Sequence, residues 1–226
     1  MKRNGAWIVR DYGRGLRYTH LTQKENQEKL RKPDLVIGKF GVGLKDALAV
    51  FERRGLEVEI RSRHGDIRLT RAPKAGFEDV VTLQAVVLSA SEPEMVGTEV
   101  ILRGLKDSDV KAAKAYFLRF SNLGVYDRHE LGAVLAKEKD AAGIYVNGMK
   151  VASEPNFLFG YDITSTTAAL RRALNRERTN VGRQAYSGRV KDILLRSSAD
   201  AVVERLVKDL EQASRVLVPM KPAGSM

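Results

Sequence analysis

The chain has 226 residues, 43% hydrophobic and 30% charged, which suits one large domain or two small ones with a real core. It contains no cysteine, so disulfides and cysteine-based metal sites are excluded, and a cytoplasmic, reducing setting is expected. The net charge of +11 favours anionic partners, or else it is a basic surface without a special role. His20, His64 and His129 lie far apart, so no histidine-rich metal site is predicted. No apolar run is long enough to cross a membrane, and "MKRNGAWIVRDYG" lacks the apolar stretch of a leader peptide.

In chain order, "AWIVRDYG" alternates apolar and polar residues and ends in a turn, the pattern of a strand. Residues 17–36 are polar and broken by Pro33, which predicts a mobile loop with a helical turn at most, long enough to act as a lid. In "LKDALAVFERR", Leu44, Leu48 and Phe51 share one helical face, and Gly55 closes the helix. The runs "LEVEIRSR", "DIRLTRA", "VVTLQAVVLSA" and "GTEVILRGL" then predict an antiparallel meander with one buried face. Near residue 108 the character changes. "SDVKAAKAYFLRF" predicts a helix capped by Ser108, and Asn147-Gly148 predicts a hairpin within "GIYVNGMKVAS". "TSTTAALRRALNRER" predicts a helix opened by Thr164 or Ser165. A last helix is predicted with Val202, Val203, Leu206 and Leu210 as its apolar stripe. The fold class is therefore α+β, with domains at 1–108 and 109–218 and a disordered tail at 219–226.

The stretch "DLVIGKFGVGLKDALAVF" places Gly38, Gly41 and Gly43 at the entrance of the first long helix. A P-loop would need lysine where Leu44 stands, and a dinucleotide fingerprint would need glycine where Asp46 stands, so neither motif is met. Glycines at a helix entry still let backbone N–H groups approach an anion, assisted by the helix dipole and by Lys39 and Lys45. The alternative is a tight turn and nothing more.

Two further motifs flank this one. Upstream, "RDYGRGL" carries Asp11, Gly13 and Gly15 as D-x-G-x-G, and downstream "GTEVILRGL" opens a strand with Gly97 and Thr98. The order D-x-G-x-G, polar loop, G-x-x-G-x-G-L-helix, strands, G-T-strand resembles the GHKL superfamily. These are the Bergerat-fold ATPases that include gyrase B subunits, MutL, sensor histidine kinases, ninety-kilodalton heat-shock chaperones and MORC proteins. The likeness covers residues 6–105. It implies a Bergerat-type α/β sandwich that binds ATP with Mg²⁺ and acts as a nucleotide-driven conformational or homodimerisation switch. It assigns adenine recognition to Asp11, passage of the chain under the base to Gly13 and Gly15, and a hydrogen bond beside Asp11 to Thr98. Gly38, Lys39, Phe40, Gly41, Val42, Gly43 and Leu44 would cradle the phosphates or line the pocket, and residues 17–36 would be the lid.

The family's glutamate base and Mg²⁺-binding asparagine lie on a helix before D-x-G-x-G. Here ten strand-like residues precede Asp11, and Glu25, Asn26 and Glu28 sit inside the expected lid, so neither role is carried over. No catalytic residue and no protein metal ligand is assigned. The chain is then expected to be a truncated form, to receive that helix from another polypeptide, or to have lost hydrolysis. Without a general base, hydrolysis would be slower by about 10²–10⁴-fold.

"VKAAKAYFLRFSNL" and "AGIYVNGMKVASEP" resemble the start of the transducer domain of MORC-like relatives. "RRALNRERTNVGR" is the most cationic segment. Arg178 or Arg183 would be a γ-phosphate sensor, unless the run is a solvated helix face or a nucleic-acid backbone contact. A non-catalytic basic module binding nucleic acid or a partner protein is the alternative function.

Overall fold

The computed structural model describes residues 1–22, 42–176 and 180–216, and the chain divides into two units at residues 111 and 112. Residues 23–36 of the expected lid, Gly38, Lys39, Phe40, Gly41, Arg178 and the expected tail at 219–226 lie outside the described residues. No helix among the described residues is long and apolar enough to cross a membrane.

The first unit is built on strands β1 (Lys2–Arg3), β2 (Ala6–Asp11), β3 (Glu57–Ser62), β4 (Gly65–Lys74), β5 (Phe77–Leu88) and β6 (Thr98–Arg103). They form one antiparallel sheet in the order β1-β2-β6-β3-β4-β5. The expected simple meander is thus corrected. β6 does not follow β5 in space but inserts between β2 and β3, because its run of Val100, Ile101 and Leu102 needs a neighbour on both sides to be buried. On one face Val58, Ile60, Ile67 and Leu102 are buried beneath helix α2 (Val42–Arg53), which contributes Leu44, Leu48 and Phe51. The helix starts two residues before the expected Leu44. It ends in a Schellman pattern: Gly55 at φ +70° donates to Glu52 O, and Leu56 N–H donates to Phe51 O. The single turn α1 (Thr19–Thr22) precedes it, and Leu21 packs against the same core.

The opposite face of this sheet carries charge. The Glu59 side chain is buried, accepts hydrogen bonds from Arg61 and Arg68, and lies 3.5 Å from Arg103. Burial pushes its carboxyl upward, yet the two guanidinium hydrogen bonds outweigh that and hold it below the usual glutamate value.

Helix α3 (Asp107–Lys114) begins the transition to the second unit. Its start is closed by Asp109, whose carboxylate accepts from the Lys106 N–H, and not by Ser108, which lies inside the first turn. It also stops before the expected end. Phe117 forms a β-bridge with Met149, and Leu118–Phe120 is a short 3₁₀ turn.

The second unit holds a five-stranded sheet of β7 (Val125–His129), β8 (Gly132–Leu135), β9 (Ala142–Val146), β10 (Met149–Glu154) and β11 (Gly160–Ile163), in the order β10-β9-β11-β8-β7. β11 runs parallel to β9 and antiparallel to β8, and the remaining pairs are antiparallel. β8, β9 and β11 are buried along their whole length. Helices α4 (Ala168–Arg176), α5 (Ser187–Arg196) and α6 (Asp200–Val216) cover one face through Leu170, Ile193 and Val202. The other face packs Ala133, Leu135 and Tyr145 against Leu118 and Leu123. The β9–β10 turn is the expected Asn147-Gly148 hairpin, with φ of +49° and +77°, the signature of a type I′ turn.

Two expectations are corrected here. α4 is capped by Thr167, whose Oγ1 accepts from the Leu170 N–H at 3.1 Å, and not by Thr164 or Ser165. On α6, Val202 and Leu206 meet the core while Val203 and Leu210 are exposed, because only the edge nearest Val202 faces the sheet.

Candidate functional site

The strand ends of the first unit bring the flanking motifs together. Asp11, the last residue of β2, is paired with Thr98, the first of β6, and Thr98 is paired in turn with Ser62, the last of β3. Side chains two apart share a face. Asp11, Thr98 and Ser62 therefore lie in one row on the face that also carries Trp7, Val100 and Ile60, the face covered by α2. Residues separated by more than eighty positions in sequence become neighbours through strand pairing alone.

The chain after Asp11 is held to this row. Asp11 Oδ1 accepts from Gly13 N–H at 2.7 Å, closing a tight turn. Leu16 N–H donates to Thr98 Oγ1 at 3.0 Å, and the Ser62 hydroxyl donates to Leu16 O at 2.6 Å. The His64 ring lies 3.1 Å from Arg14 O through Nε2. So the segment from Gly13 to Leu16 runs across the ends of three strands, held at each step. Gly15 has φ +86°, which favours glycine, and a Cβ there would come 3.2 Å from Gly97 O. Gly97 is the tightest point. A Cβ there would lie 1.8 Å from Asp11 O, so β2 and β6 approach as closely as they do only because residue 97 has no side chain.

Ser62 is a site residue that the sequence does not announce. Within "EVEIRS" it is one polar position among several, and only the β3–β6 pairing places it beside Thr98. The floor next to Asp11 is apolar. Val9 and Val100 are paired on the same face, and Val9 is 62% exposed. A carboxylate beside an open apolar strip can take a flat, amino-bearing heterocycle. The strip receives the ring, and the carboxylate, with lone pairs beyond the one Gly13 uses, accepts from the amino group.

Of the other expected site residues, Val42 and Gly43 open α2 and Leu44 packs into the core beneath it. Leu44 is thus a packing residue. α2 and the Asp11–Thr98 row lie on the same face of the sheet. Arg183 lies in the second unit, in a 3₁₀ turn (Arg183–Ala185). Its guanidinium is paired with Glu154 through two hydrogen bonds, Nε to Oε1 at 2.9 Å and Nη2 to Oε2, and it stacks over Phe157. The Tyr186 hydroxyl also donates to Glu154. These contacts, Arg183 first, hold the buried Glu154 carboxyl below its usual range. The arrangement gives Arg183 a structural role in the second unit.

Among the described residues no group of three or more His, Asp or Glu is placed to hold a metal ion, and residues 2–3 and 6–11 are strands and not the helix that carries the glutamate and asparagine in GHKL proteins.

Comparison with known proteins assigns the chain to a family. Residues 108–200 match the family model described as the Mycoplasma pneumoniae MPN635 N-terminal domain, a span that falls almost wholly in the second unit. An uncharacterized protein of Mycoplasma pneumoniae is 31% identical over 191 residues, covering 84% of this chain and 77% of that protein. This chain belongs to the same family as that protein. A second uncharacterized protein of the same organism is 30% identical over 135 residues, covering 54% of this chain but 36% of its own length. No solved structure matches.

Proposed function

We propose that the first unit is an adenine-nucleotide-binding module of GHKL type, built on a Bergerat-type sandwich, and that the second unit is its transducer. The observation that carries this reading is the row Asp11–Thr98–Ser62, with the Gly13–Leu16 turn held across it. The resemblance assigns the adenine contact to Asp11 and the adjoining hydrogen bond to Thr98, and these two residues are cross-strand partners beside an apolar strip. Gly43 at the entrance of α2, with Gly38 and Gly41, would receive the phosphates, since first-turn N–H groups and the helix dipole favour an anion.

The proposal is for binding and switching. The resemblance carries no general base onto this chain, and no group of three or more metal-ligating side chains stands among the described residues, so no hydrolytic step is part of it. Asp11 accepts hydrogen bonds and donates none when ionised, so it favours the amino group of adenine over the carbonyl oxygen that guanine presents at the same position. Calorimetric titration with ATP, ADP and GTP tests this. The reading expects saturable heat with both adenine nucleotides and none with GTP. Equal binding of ATP and GTP would remove Asp11 as the base reader. No binding at millimolar concentrations would sink the reading and favour the basic module that binds nucleic acid or a protein.

A further inference from the structure

The first sheet has two edges of different kinds. β1 is two residues long. β5 is twelve residues long, Phe77–Leu88, and stands last in the strand order, with no strand on its outer side among the described residues. Edge strands in monomeric proteins are normally blunted by lysine, proline, a bulge or shortness. β5 contains no lysine, arginine, proline or glycine, and its blunting features, the charges Glu78 and Asp79 and a bulge between the Val81 and Phe77 pairings with β4, are confined to one end. From Val80 to Leu88 it reads VVTLQAVVL, without a charge. Val80, Val81, Val86, Val87 and Leu88 are all exposed, Val81 by 56%.

Most of this strand also stands beyond the rest of the sheet. β3 pairs with β4 only over Gly65–Arg68, whereas β4 continues to Lys74 in its pairing with β5. From Leu69 onward the β4–β5 hairpin is a two-stranded ribbon, fastened to α2 by Arg71, which donates to both carboxylate oxygens of Glu52. A two-stranded ribbon is marginally stable in water, and a third strand with an apolar face is what such a ribbon lacks.

The sequence of β5 indicates which strand would fit. The pattern is symmetric about Gln84. Laid antiparallel against a second copy with Gln84 opposite Gln84, Val81 faces Val87. Thr82 then faces Val86, and Leu83 faces Ala85. Every cross-strand pair on both faces is apolar or neutral, and none sets like charges opposite each other. The ends are complementary as well. In the first sheet Asp66 is the β4 partner of Leu88, so the exposed Arg63 of the β3–β4 turn lies just beyond that end of β5. The two-fold arrangement brings Glu78 and Asp79 of one copy towards Arg63 of the other, about two strand spacings or roughly 10 Å apart, comparable to the screening length at about 0.1 M salt.

We infer that β5 is a dimerisation edge: two copies of this chain join their first units by antiparallel β5–β5 pairing centred on Gln84, which continues one sheet into the other. The pairing is isologous, so it closes at two copies, and the far edge of each first sheet is the two-residue β1. It does not depend on the nucleotide site, because Asp11 and Thr98 lie on β2 and β6, on the other side of β3 and β4.

The test is light scattering of the intact chain up to about 100 μM, where an interface of ordinary affinity is saturated. Circular dichroism of each variant checks that the fold is retained. Wild type is expected at twice the chain mass. Gln84→Lys, which sets two ammonium groups opposite each other at the two-fold axis, is expected to raise the dimer dissociation constant at least tenfold. Thr82→Lys and Val86→Glu should each weaken the dimer. The double variant should restore it, because each introduced lysine then faces an introduced glutamate across the pair, twice per dimer. A wild-type chain that stays monomeric, or that grows beyond two copies, overturns the inference. A dimer indifferent to Gln84→Lys, or a double variant no better than its parents, shows that another surface or register is used and overturns it too.

Discussion

Replacing Gly97 by alanine tests the closest approach in the first unit. Two costs can be separated. Gly97 sits at φ +89°, where an L-residue costs about 1–2 kcal/mol. In addition the new Cβ would fall 1.8 Å from Asp11 O and 2.8 Å from Tyr12 Cα, so the backbone at the end of β2 must move. Such overpacking adds about 1–3 kcal/mol. Gly76 supplies the control. It has φ +79° with nothing within 4 Å of an added Cβ, so Gly76→Ala bears the conformational cost alone. Gly97→Ala should therefore destabilise the first unit by about 2–5 kcal/mol, against about 1–2 for Gly76→Ala. The assay is urea unfolding followed by fluorescence of the single tryptophan, Trp7, which lies on β2 and reports this unit. The midpoint should fall with the slope unchanged. Equal losses for the two variants would refute the close approach of β2 and β6 and, with it, the placement of Asp11 beside Thr98.

The second unit provides a pair of predictions with opposite sign. Glu154 titrates below its ordinary value, so its stabilisation is present above the unfolded glutamate value and lost as pH falls through the folded one. Glu154→Gln should cost about 1–3 kcal/mol at pH 7, and the deficit should vanish in acid; a deficit that persists there would remove the Arg183 pairing as its cause. Asp162 behaves in reverse. Burial raises its carboxyl, although Oδ1 accepts from the Gly148 N–H at 2.9 Å, so wild type loses stability as pH rises through the folded value. Asp162→Asn keeps an oxygen for Gly148 and should melt higher than wild type at pH 7, with the gain disappearing below the ordinary aspartate range; a lower melting temperature at pH 7 would contradict this. Thr167→Ala should cost about 1 kcal/mol by removing the cap of α4. The same loss from Thr164→Ala, with none from Thr167→Ala, would put the cap elsewhere.

Local chemistry was legible in the sequence, and long-range pairing was not. Asn147-Gly148 announces its hairpin because the required positive φ values leave few residue choices. Gly55 likewise announces the end of α2. The helix expected through Phe120 has good propensity throughout, but Phe117 is drawn into a bridge with Met149, a tertiary contact that no window around residue 117 contains. Thr164, Ser165 and Thr167 are all able to cap, and only the packing of Leu170 into the core selects the last. The order β2-β6-β3 is invisible to strand periodicity, so the meander expectation failed although each of its four runs formed a strand, and β1, β7, β8 and β11 were not expected. The site follows the same division. Asp11 and Thr98 are readable from their motifs, whereas Ser62 enters only through the β3–β6 register.

The measurement that bears most directly on the central claim is an ATP titration of wild type beside Asp11→Asn. Asparagine keeps an oxygen for the Gly13 N–H, so the turn and the fold should survive while the charge that accepts from an adenine amino group is gone. A hydrogen bond to a charged acceptor contributes about 1.5–3 kcal/mol, so ATP affinity should fall roughly 10- to 150-fold with an unchanged melting curve in the absence of nucleotide. ATP binding of equal strength in the two proteins would contradict the claim that Asp11 reads the base.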